Sequence, residues 1–323
     1  MLAVKVFAEG VTEQIREYLP PEYQDMEFIT MEKQKNNGTV LTGISFHMPG
    51  ETISPLVYME PFYEEIRKGT PVGDVMGKIA EQVVNSREIK DQMEEIRMDD
   101  YASVKNHLNM VLINTKANRR MLSEMPHREV EDLSAILRVE IPMPEGNGTG
   151  CVKVTNEMLA YWGTDKDEVF DAAMKNMGKN ASPVLMDLES VMEEIMSGTS
   201  ENHNLLANPG EINRSPFETM YVLSNASRIN GAAMLLSPDV MKQIGEIFPE
   251  GVYILPSSIH EVLVVPKNGM AEPAELGKMV REVNRAEVAR EEILSDRIYE
   301  YDKEHGKIRQ VPESIEKRRA MER

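Results

Sequence analysis

Two serines, a histidine and a carboxylate stand within five residues, Ser257-Ser258-Ile259-His260-Glu261. Acyl transfer needs a nucleophile, a base that takes its proton and an acid that orients the base. The run therefore nominates Ser257 or Ser258 as nucleophile, His260 as base and Glu261 as the orienting acid of a hydrolase or transferase. Two features oppose that chemistry. Adjacent residues on a strand point to opposite faces, which separates His260 from Glu261. No Gly-x-Ser-x-Gly elbow occurs in the chain. The competing reading gives the serines to a chain reversal and His260 to a local carbonyl.

A second polar run, Ser224-Asn225-Ala226-Ser227-Arg228-Ile229-Asn230-Gly231, lies between two apolar segments. Its guanidinium and two amides suit a small anionic ligand held by Asn225, Arg228 and Asn230. It lacks the Lys-Ser/Thr ending of a phosphate loop. The competing reading is a connection whose amides replace backbone partners. Asp187 and Glu189 flank Leu188 and offer a pair of carboxylates if they share a strand face.

No metal or cofactor is expected. The six histidines are isolated from one another, and no His-x-x-x-His pair exists. Cys151 is the single cysteine, so an intramolecular disulfide and a four-cysteine zinc site within one chain are excluded. The net charge of −18 opposes non-specific nucleic-acid binding and docking on anionic membranes. It fits a protein partner of basic character. No run approaches a membrane span, and the amphipathic N-terminus lacks the apolar core of a secretory signal. A soluble, cytoplasmic protein is expected. The 24 methionines read as fillers of irregular core gaps, or more sharply as an adaptable binding surface.

The elements that must position these residues are legible in outline. Val4, Phe7, Val11, Ile15 and Leu19 make one helical face, ended by Pro20-Pro21. Residues 26–32 and 39–48 predict a hairpin about Asn36-Asn37-Gly38, with a third strand in 53–59 and helices over 61–68 and from Val72. Strands are predicted at 108–113, 135–141 and 151–154. Helices are predicted at 155–162 and, from a box of Thr164 and Asp167, to Met177. Residues 186–196 are a further helix candidate, followed by a long polar loop. Residues 219–266 read as strand, turn, strand at 232–236, helix from Ser237-Pro238-Asp239, then strands 252–255 and 259–265. A last helix is expected from Pro273 through at least Ile293. The whole is an α+β fold of mixed or antiparallel sheets with helices packed on one face, in two subdomains. The expected divisions are 1–95, 96–290 and a charged helical extension with a mobile tail, 291–323.

The segments YVLSNASRINGAAMLL, SPDVMKQIGEIF, YILPSSIHEVLVVP and LAYWGTDKDEVFDAAMKNM together resemble an uncharacterised bacterial family associated with gut anaerobes and mobile genetic elements. The resemblance spans about residues 108–290. It implies a cytosolic accessory protein of a mobile element that binds another protein, and it implies no reaction.

Overall fold

Ala8, Val11, Ile15 and Leu19 recur at helical spacing and are all buried, so the chain opens as a helix with one apolar face. The computed structural model describes residues 2–49, 54–142, 149–197, 203–209, 220–256, 258–267 and 272–312. The chain forms two units, residues 1–104 with 140–151, and residues 105–139 with 152–323.

In the first unit α1 (Leu2–Gln14) runs into a 3-10 turn and stops at Pro20-Pro21. The hairpin follows as β1 (Glu27–Gln34) and β2 (Val40–His47), with β3 (Leu56–Tyr58) on the far side of β2. Asn37 and Gly38 both take positive φ in the turn, as its residue types predict. Helices α2 (Glu60–Arg67), α3 (Val72–Glu95) and α4 (Tyr101–Val104) complete the unit. Its core joins Phe46, Ile44 and Met26 to Val75, Ile79 and Val83 of α3.

The second unit begins with β4 (Leu108–Asn114), α5 (Arg119–Leu122), β5 (His127–Val130) and β6 (Leu133–Pro142). β6 lies between β4 and β5 and also pairs with β7 (Thr149–Lys153). Helix α6 (Asn156–Trp162) is capped by Thr155, whose hydroxyl accepts the Met158 N–H at 3.2 Å. Helix α7 (Lys166–Asn180) starts one residue later than the Thr164 box predicts. Asp165 caps it by accepting the Glu168 N–H at 2.9 Å, while Thr164 donates to the Glu168 carboxylate.

Six strands then form one sheet in the order β13-β12-β10-β11-β9-β8. These are β8 (Pro183–Asp187), β9 (Tyr221–Asn225), β10 (Val252–Leu255), β11 (Val262–Pro266), β12 (Tyr299–Asp302) and β13 (Lys307–Gln310). Helices α8 (Leu188–Ser197), α9 (Pro238–Ile247) and α10 (Pro273–Ala286) connect them. Every pairing with a described register is antiparallel. The fold is α+β.

Three expectations are overturned. Residues 232–236 are not a strand but a 3-10 helix, Gly231–Leu236, entered through left-handed Asn230. A short apolar run carries too few residues to separate the two periods. The helix from Pro273 ends at Ala286, because Asn284 is pulled inward to donate to the Ser295 carbonyl and the Asp296 carboxylate. The chain beyond it returns as the β12–β13 hairpin instead of a charged helix. The expected mobile tail, 313–323, lies outside the described residues.

Candidate functional site

β10 and β11 are antiparallel neighbours, with Leu255 opposite Leu263, so the intervening residues must reverse the chain. Ser258 does this locally: its Oγ accepts the backbone N–H of His260 at 3.0 Å. Ile259 donates its N–H to the Glu292 carbonyl at 2.9 Å and accepts Ala232 N–H at 3.2 Å. The His260 carbonyl takes the Ser224 hydroxyl at 2.8 Å. The ring is engaged on both sides. Its Nδ1 accepts the Asn230 N–H at 3.2 Å, which puts the proton of the neutral imidazole on Nε2. Nε2 stands 3.5 Å from the Glu292 carboxylate.

The acid beside the imidazole is therefore Glu292, thirty-two residues along the chain, and not Glu261, which is half-buried one step further on β11's approach. Nothing local in the sequence marks Glu292. Among the described residues no hydroxyl bonds to the His260 ring, and Ser258 spends its oxygen on the turn. Ser257 lies outside the described residues.

The second polar run meets this turn. Asn225 folds its amide over its own loop, accepting from Ser227 Oγ at 3.0 Å and Ile229 N–H at 3.2 Å and donating to the Ile229 carbonyl at 2.8 Å. Arg228 and Asn230 both hold positive φ, 54° and 55°. Gly231 closes the junction. A Cβ there would stand 2.6 Å from the His260 carbonyl oxygen and 2.7 Å from the Asn225 nitrogen, so only glycine fits. The two sequence runs are thus one polar cluster, joined at Ser224, Asn230, Gly231 and His260. Arg228 turns away from it. Its guanidinium donates to the Glu194 carboxylate of α8 at 2.6 Å and touches the Met186 sulfur at 3.7 Å.

That ion pair leads to α8. Asp187, at the end of β8, caps the helix, with one oxygen accepting Ser190 N–H and the other Ser190 Oγ, each at 2.8 Å. It is committed to a helix start, so Asp187 and Glu189 do not form a pair on one strand face. Val191 packs inward against Met186 and Val222. The outer face carries Leu188, Met192, Ile195 and Met196, which are 39%, 55%, 77% and 83% exposed. Their spacing of four, three and one places them in a single stripe. Exposed Glu189 and Glu193, one turn apart, flank it.

A family model described as a family of unknown function, DUF5688, matches residues 4–303. The chain belongs to the DUF5688 family. The match takes in the first unit as well as the span of the resemblance, and it ends within the β12–β13 hairpin. Neither a curated protein nor a solved structure matches the chain. The DUF5688 match supplies no reaction, so the chemistry rests on the geometry. Among the described residues no three His, Cys, Asp or Glu side chains converge as a metal site. No described helix is long and apolar enough to cross a membrane.

Proposed function

We propose that the protein is a non-enzymatic interaction protein that binds a basic, amphipathic segment of another protein along α8. The observation that carries this reading is the stripe Leu188, Met192, Ile195 and Met196, held outward on a helix anchored from behind. Large apolar side chains on a rigid helix, set in line, are what an amphipathic partner packs against. Two methionines in the stripe adapt to partners of different shape. Glu189, Glu193 and the chain's charge of −18 select a partner with Lys or Arg beside its apolar face. The resemblance noted above supports placing it in the cytoplasm as an accessory protein of a bacterial mobile element.

A synthetic amphipathic helix with leucines on one face and lysines flanking them is the test probe. Fluorescence anisotropy should show binding that weakens with salt and falls about tenfold or more in Met192→Asp and Ile195→Asp. Both positions are exposed, so circular dichroism and thermal unfolding should be unchanged. Absence of binding, or binding indifferent to both substitutions, overturns the reading.

A further inference from the structure

We propose that two copies of this chain associate through the free edge of β1, joining their three-stranded sheets into one continuous six-stranded sheet across a two-fold axis.

The argument starts from which way the β1 backbone faces. β2 lies centrally between β1 and β3. On the described register Lys35 stands opposite Thr39, and its N–H bonds the Thr39 carbonyl at 2.7 Å. Odd-numbered residues of β1 therefore direct their backbone groups at β2. The other side of β2 agrees: the Thr42 carbonyl accepts from Met59 at 2.9 Å and Phe46 N–H reaches the Pro55 carbonyl at 3.3 Å, both toward β3. Phe28, Thr30 and Glu32 consequently point their N–H and C=O groups outward. Among the described residues nothing pairs with them. Arg16 takes the Met26 carbonyl at 2.8 Å and so marks where the open edge begins.

An eight-residue exposed edge is a template for another strand, and its side chains say which. Glu27, Ile29, Met31 and Lys33 share the face turned to solvent, with Ile29 51% and Met31 41% exposed. An antiparallel partner must pair outward-facing even residues with one another. Centring a second β1 on Thr30 does this and sets Phe28 opposite the copy's Glu32. The same register puts Ile29 opposite the copy's Met31 and Glu27 opposite the copy's Lys33, each twice by symmetry. Apolar meets apolar, and acid meets base. These are the non-hydrogen-bonded pairs, whose side chains approach most closely. Lys33 has no ion-pair partner among the described residues, while Glu27 touches only His47, at 3.4 Å. Residues 27–35 carry two acids and two lysines, so this strip is locally neutral in a strongly acidic chain. A strand that complements itself favours a copy of the same chain over an unrelated partner.

Sedimentation equilibrium of the full chain, from low micromolar to near-millimolar concentration, is the test. The expected result is a reversible rise from the 36.6 kDa monomer to twice that mass. Thr30→Pro deletes an outward N–H while leaving the β2 ladder intact, a place where an edge strand tolerates proline. It should weaken association about tenfold or more. Lys33→Glu on the exposed face should weaken it similarly, and Glu27→Lys combined with Lys33→Glu should restore it. Circular dichroism verifies folding, and if Thr30→Pro is unfolded the charge pair decides alone. A monomer at every concentration overturns the proposal. So does a dimer unmoved by Lys33→Glu, or a double variant no tighter than the single one.

Discussion

The phenol of Tyr299 hydrogen-bonds one oxygen of Asp132, 167 residues earlier in the chain, and the Ser295 hydroxyl holds the other oxygen at 2.9 Å. Asp132 sits in the β5–β6 turn behind Glu131, which takes a positive φ. Tyr299 is wholly buried at the start of β12. The pair fastens the chain's last hairpin to its middle, in the same unit. Burial, and then the charge and hydrogen bond of Asp132, raise the Tyr299 hydroxyl well above the ordinary tyrosine range.

Tyr299→Phe should cost about 2 kcal/mol, because a partly buried carboxylate loses a charge-assisted partner. The wild type should also carry an alkaline limb. A phenol whose folded pKa is raised contributes stability fully present below its unfolded value near 10, and that stability is lost as the pH rises through the folded value. Urea titrations at several alkaline pH values should show this loss in the wild type and a smaller one in the phenylalanine variant.

Gly231→Ala should be among the most damaging single changes in this unit. Its new methyl would press on the His260 carbonyl and the Asn225 nitrogen, both backbone atoms of strand-ending segments. Overpacking against backbone costs about 1–3 kcal/mol. The midpoint of chemical denaturation should fall with no change in its slope.

Ser258→Ala and His260→Ala should each lower stability by about 1 kcal/mol, through loss of a turn-closing acceptor. In Ser258→Ala the His260 N–H loses Oγ, and in His260→Ala the Asn230 N–H loses Nδ1. A serine-reactive probe should leave Ser258 unlabelled in the wild type, since its oxygen faces the turn. Labelling that depends on His260 would contradict this reading.

How much of this was legible beforehand varies with the range of the cause. The hairpin at Asn37-Gly38, the Ser237 cap of α9 and the Thr155 cap of α6 are local chemistry, and residue types announce them. Residues 232–236 were misread because the signal is only apolarity, and burial on all sides erases periodicity. The end of α10 was misread because it is decided by Asn284 reaching Ser295 and Asp296, a tertiary event. The β12–β13 hairpin did leave a trace in the alternation Tyr299, Tyr301 and the turn glycine Gly306, which takes positive φ. The surrounding charges hid it. The polar cluster was half visible: its two runs stood out by composition, but their meeting, and the arrival of Glu292, depend on strand order.

Asp302 ends β12 and gathers the β12–β13 turn. Its carboxylate accepts His305 N–H at 3.2 Å, faces the His305 ring at 2.8 Å and takes Arg309 at 2.6 Å. Desolvation works to raise its pKa, but the His305 backbone and ring hydrogen bonds and the Arg309 charge outweigh it and hold the group below the usual range. A depressed carboxylate contributes stability present above its unfolded value near 4 and lost as the pH falls through the folded value. Asp302→Asn should therefore flatten the acid side of a stability–pH profile while leaving neutral pH little changed.

Arg228→Ala tests whether the loop at 225–231 serves α8. Both members of the Arg228–Glu194 pair keep about a third of their side-chain surface, 33% and 28%, so screening limits its global contribution to about 1 kcal/mol or less. The local effect should be larger. Without the guanidinium, α8 keeps its Asp187 cap and Val191 but loses its only printed ion pair among the described residues. Hydrogen exchange should then accelerate across Leu188–Ser197 while β8 and β9 stay protected. Binding of the lysine-flanked probe should weaken as well, because an apolar stripe on a fraying helix must be ordered before it can be packed. Unchanged exchange in α8 would mean that Val191 and the cap alone hold the helix, and the loop would have no part in presenting it.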